Sequence, residues 1–225
     1  MSVMLTVVAI VALAELVRWV SILISWGEET LPPPNVNDIL TANYKPEECD
    51  EKMRVDCQNL LFLYFKEPED AELYQRINEK MKNLNEDEKK GLLREITLKA
   101  SSIMHVKLDS IEFSNDSCMG CYNYSKNSLM ISSAYLNLDS CNVEVVKTIF
   151  HELKHAVQFN AISRDGNIWG YSDKTLITWV NNFQNYINCA LDPEGYYHQP
   201  IEVDSFGYEC SIIPQPGLSV NNNVA

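Results

Sequence analysis

The sequence predicts an α+β fold from three observations. Apolar residues recur at three-and-four spacing between residues 47 and 104, the pattern switches to alternation between Val106 and Ile131, and helical spacing returns from Asn142. The first stretch reads as three helices. Residues 47–66 end in the apolar run LLFLYF, while 69–83 and 86–104 carry apolar stripes that include Leu92, Leu93, Ile96 and Ile103. Asn85 followed three residues later by Glu88 forms a capping-box pattern at the start of the third. The alternating segments VKLDSIEF, CYNY and Leu129-Met130-Ile131 are separated by turn residues at 115–117 and 125–127, which predicts a small, mostly antiparallel sheet.

The next helix starts near Asn142, and Val145, Val146, Ile149, Phe150, Leu153 and Val157 cover one broad side of it, with His151 and His155 at the edge. Ser172 is placed to cap a further helix through about Ala190, whose stripe of Leu176, Trp179, Val180, Phe183 and Ile187 predicts a core face. A last helix enters at Pro200 and carries Glu202 to about Glu209. Residues 213–225 have no pattern that would bury a face.

The beginning of the chain differs in kind. Residues 1–26 form its most apolar stretch, interrupted only by Glu15 and Arg18, and are long enough to cross a bilayer as a helix. A cleaved signal segment ending near Ala12-Leu13-Ala14 is the rival expectation, and a partner-binding helix the third. Either of the first two makes the protein membrane-anchored or secreted, with the remainder extracytoplasmic. Leu31-Pro32-Pro33-Pro34 closes a Pro-rich linker at 27–34, so the folded domain is expected over 35–212. Against 18 basic side chains stand 31 acidic ones, a net charge of −13, which repels phosphate backbones and excludes nucleic acid as an expected partner. Seven cysteines leave at least one thiol outside any set of disulfides within the chain. Cys49 and Cys57 stand about 12 Å apart in rise along one helix and cannot pair there. Cys118 and Cys121 form a lone CxxC followed by a strand pattern, which favours structural over redox cysteines.

The chemistry-bearing stretch is TIFHELKHAVQ at 148–158. On an α-helix, residues four apart share a face, so His151 and His155 can aim two imidazole nitrogens at one ion, and zinc accepts that geometry. Glu152 projects beside them, suited to take a proton from a water that the ion activates. HExxH arises by chance on the order of once in a hundred chains of this size. Here it lies within a helix pattern after a strand pattern and uses two of four histidines.

Residues 106–210 therefore resemble the zincin metallopeptidases, in which a strand, the HExxH helix and a downstream ligand build a cleft. The resemblance implies a zincin-like fold, a small sheet packed on the HExxH helix with additional helices at both ends. It also implies that residues 128–133 border the cleft and pair with extended substrate. Lys154 departs from the uncharged residue often preferred inside the motif and is expected to point to solvent with its stem along the helix. Gln158 and Ala161 stand where the metzincin branch has Gly and a third His, which excludes that branch. The gluzincin branch takes a Glu from a later helix, and YYHQPIEVDSFGYE at 196–209 is similar to that segment, implying Glu202 as third ligand to one Zn2+. Ser205, three positions on, would allow close helix approach. Phe206 occupies the position of the Asp in the family's ExxxD pattern, leaving Asp204 to supply a carboxylate behind the ligands. His198 and Asp204 compete with Glu202 as ligand. Tyr196, Tyr197 and His198 are candidate donors to a developing oxyanion, and His105 is expected to interact with a helix C-terminus. The implied function is hydrolysis of peptide substrates by a zinc-dependent endopeptidase. Two alternatives remain: another HExxH hydrolase such as a deformylase, with Cys118, Cys121 or Cys141 as ligand, and a metal-stabilised binding module without catalysis.

Overall fold

A computed structural model describes residues 46–163 and 166–215. The N-terminal apolar segment, the Pro-rich linker and most of the C-terminal tail lie outside the described residues. Among those described, the chain is α+β, with seven helices and one three-stranded sheet. No helix among them is long and apolar enough to cross a membrane. The residues fall into two compact units, one containing 46–170 with 205–215 and the other 171–204.

In the first unit, helices α1 (Glu48–Tyr64), α2 (Leu73–Lys82) and α3 (Glu86–Ile103) precede strands β1 (Ser110–Ser114), β2 (Gly120–Asn123) and β3 (Ser128–Ser132). The capping box at α3 is present in both directions: Glu88 N–H donates to Asn85 Oδ1 at 3.0 Å, and Asn85 N–H donates to Glu88 Oε2 at 2.9 Å. Helix α4 (Asn142–Ser163) follows, packed against α2, α3, β2 and β3. The core gathers Leu61, Phe65, Ile77, Leu93, Ile96, Ile149, Phe150 and Leu153, each fully buried.

The sheet is mixed rather than mostly antiparallel. Its order is β1-β3-β2, with β2 antiparallel to β3 and β1 parallel to it. The turn at 125–127 makes a hairpin, helped by Asn123 Oδ1 accepting from the N–H groups of Ser125 and Lys126 and by Asn127 at φ 49°. Residues 115–119 do something else: they pass the end of β3, where Ser132 Oγ donates to Asp116 O at 2.6 Å and Ser132 N–H to Met119 O at 2.9 Å. That crossing sets β1 and β2 on opposite sides of β3. The strand expected to meet substrate, 128–133, is therefore the central one, its backbone already paired on both sides.

Helix α4 is also more enclosed than one apolar side implies, since every residue from Asn142 to Ala161 is buried except Glu144 and Thr148. Its polar residues are tolerated because they find partners inside. Lys154, expected at the surface, is fully buried. Its ammonium donates to Asp50 Oδ1 of α1 and sits 5.2 Å from the centre of the Tyr208 ring. Asp50 in turn accepts the Glu47 N–H with its other oxygen, at 3.3 Å, as part of the α1 capping box.

The second unit holds α5 (Asp173–Gln184), capped by Ser172 through the Thr175 N–H, and the short helix α6 (Pro193–His198). The expected core stripe of α5 is only half-buried apart from Trp179, which is 3% exposed and packs edge-on to Tyr171 at 4.6 Å. His198 ends α6. Helix α7 (Pro200–Ile212) is continuous, and its first residues belong to this unit while those from Ser205 onward belong to the first.

Candidate metal centre

Helical spacing does what the motif requires. His151 and His155 project from one face of α4 with their Nε2 atoms 3.1 Å apart and their rings at 82°. The other ring nitrogen of each has an oxygen to face. His155 Nδ1 is 2.9 Å from Gln158 Oε1 and 3.2 Å from Ser205 Oγ, and His151 Nδ1 is 3.4 Å from Glu209 Oε2. A proton on His155 Nδ1, accepted by Gln158 Oε1, directs the Nε2 lone pair of that ring at His151 Nε2, a separation that fits either an N–H···N hydrogen bond or a shared cation. A tetrahedral ion with nitrogens at 2.0–2.1 Å separates them by about 3.3 Å, close to the observed value.

Glu202 stands one turn before Ser205 on the continuous helix α7, on the same face. Ligand atoms of His151, His155 and Glu202 all lie within 4.8 Å of one another, the group among the described residues that could hold an ion. Two imidazoles and one carboxylate are a donor set that fits zinc. The side chain of Glu202 is 1% exposed, and its Oε1 accepts the Tyr186 hydroxyl at 2.9 Å. Cys118, Cys121 and Cys141 are not members of the group. Burial pushes the thiols of Cys57 and Cys210 up to about 12 and that of Cys49 to about 11, which makes them poor nucleophiles and ligands.

Glu152 faces the sheet. Its Oε2 accepts the backbone N–H of Tyr122 at 2.7 Å, tying the carboxylate to β2. Close contact between strand and helix makes this reach possible, and Gly120 permits it: a Cβ there would lie 2.3 Å from Thr148 Cγ2 and 3.3 Å from Glu152 Cγ. Gly120→Ala is expected to cost about 1–3 kcal/mol through this overlap, and Thr148→Ser, which removes the methyl, should recover part of it in denaturant unfolding. Equal stability of Gly120→Ala and the parent would show that the strand has room to retreat.

Glu209 supplies the carboxylate behind His151, while Phe206, at the position where the family pattern has Asp, packs on the His151 ring with centroids 4.4 Å apart. Glu209 lies seven residues after Glu202, two helical turns along one face, and Gln158 three after His155. Those spacings are legible in the sequence, although nothing there singles them out. Tyr186 has no such signal, because it comes from a separate segment. Tyr196 and Tyr197 lie on α6, Tyr196 edge-on to the Tyr186 ring and Tyr197 edge-on to Tyr196, and Tyr197 has its phenol pKa raised by burial, then by Cys189 and Glu202. His105 lies just past the end of α3 at φ 54° and is exposed. No family model, curated protein or solved structure matches this chain.

Proposed function

We propose that the protein is a zinc-dependent peptidase with a zincin-like arrangement, in which His151, His155 and Glu202 hold one ion and Glu152 is the general base. The observation that carries this reading is the grouping of the His151 and His155 ring nitrogens with the buried Glu202 carboxylate within 4.8 Å, with a second carboxylate, Glu152, between the histidines in sequence and tied to a strand. Zinc held there would supply Lewis acidity to a scissile carbonyl and lower the pKa of water towards 7.

The chain's own residues account for the remaining tasks. Gln158 and Ser205 orient the His155 imidazole through Nδ1, and the Glu209 carboxylate stands behind His151 Nδ1 at 3.4 Å. Glu152 accepts the proton of the attacking water and passes it to the leaving amine, and the Tyr122 N–H fixes its carboxylate meanwhile. Substrate enters beside β2 rather than β3. Tyr122 directs its N–H away from β3 and onto Glu152, so β2 is the sheet edge beside the proposed base and the strand along which an extended peptide would lie. Tyr196, Tyr197 and His198, together on α6, are the candidate donors to the oxyanion.

Purified protein is expected to contain about one zinc per chain, and its hydrolysis of a mixed peptide library should stop on chelation and return with zinc. Undiminished hydrolysis after complete metal removal would refute the assignment. Residues 1–26 support a membrane-anchored or exported protein by their composition alone. Retention in washed membranes separates the anchor from a cleaved signal.

A further inference from the structure

We propose that Tyr186 is a positioning residue for the metal centre, fixing the carboxylate of Glu202 through its hydroxyl; the inference rests on the metal-centre reading given above. Tyr186 Oη donates to Glu202 Oε1 at 2.9 Å, and the carboxylate is 1% exposed. A buried carboxylate needs donors. A Lys or Arg in this place would neutralise Glu202 and compete with a cation for it. A phenol satisfies one oxygen and leaves the negative charge for the ion.

The segment bearing Tyr186 is held against the start of α7 by a buried amide bridge. Gln199 Oε1 accepts from Ile187 N–H and from Asn182 Nδ2, both at 3.0 Å, and Gln199 Nε2 donates to Ile187 O at 2.8 Å. Asn182 Oδ1 closes the circuit by accepting the Ile201 N–H at 3.0 Å. Asn182 is 8% exposed and Gln199 3%. The bridge thus fixes residues adjacent to both partners, Ile187 beside Tyr186 and Ile201 beside Glu202. The Tyr196 ring, edge-on at 6.2 Å, limits rotation of the Tyr186 ring. Such support around a ligand is what sets its angle of approach to an ion.

The test compares the full chain with Tyr186→Phe, which keeps the ring and its packing. Zinc affinity is measured by competition with a chromogenic chelator, and the visible absorption of the cobalt(II)-loaded form reports the ligand geometry. Tyr186→Phe is expected to weaken zinc binding about 10–100-fold and to alter the cobalt spectrum, with a cooperative melting transition retained. Parental affinity and spectrum in Tyr186→Phe would overturn the positioning role and leave the metal centre standing. Absence of zinc binding by the parent chain would instead overturn the metal centre itself, and this inference with it.

Discussion

Glu152→Gln is expected to lower peptide hydrolysis by about 10²–10⁴-fold while leaving zinc content and fold as they are. The substitution is nearly isosteric, and the amide oxygen can still accept the Tyr122 N–H that the carboxylate accepts at 2.7 Å. What is lost is the ability to take a proton and give it back. Glu152 is not a member of the ligand group, so metal content should be parental by elemental analysis. A metal-loaded Glu152→Gln protein that turns over at the parental rate would remove the base from the mechanism. A loss of both zinc and activity would mean that the side chain holds the site together instead.

The largest stability effect is expected at Lys154. Its ammonium is fully buried against Asp50, itself 2% exposed, and above the Tyr208 ring. Lys154→Ala strands a buried carboxylate and should cost about 3–5 kcal/mol, against a total of about 5–15 kcal/mol for a typical domain. In a chain of this size that lowers the melting temperature by roughly 6–20 °C. The double variant Lys154→Met with Asp50→Asn should be much milder, because no unpaired charge remains and Asn keeps an acceptor for the Glu47 N–H. A cost below about 1 kcal/mol for Lys154→Ala would be the behaviour of a surface pair and would contradict the burial. The pair links α1 to α4 directly behind the histidines, so the residue inside HELKH serves the scaffold rather than the solvent.

The three N-terminal helices, the Asn85–Glu88 cap and the Ser172 cap follow from local rules, since each depends on residues within a few positions of one another. The pairing of the strands does not. Alternation identifies β1, β2 and β3, but the choice between a hairpin and a crossing at 115–119 is made by Ser132 receiving that loop, a contact between residues more than a dozen positions apart. The fate of Lys154 is similar: its sequence neighbours are compatible with a solvent position, and only Asp50, 104 residues earlier, makes burial tolerable.

The sequence by itself determined that two imidazoles share one face of a helix with a carboxylate beside them, because the helical repeat is a local property of the backbone. It also made Glu202 a nameable third ligand by its resemblance to a known pattern. Only the tertiary structure decided which oxygens stand behind the two imidazoles, which strand lies at the sheet edge and which lysine is buried. Those outcomes depend on where distant segments meet, and the desolvation cost of a polar group is set by what surrounds it, not by its neighbours along the chain.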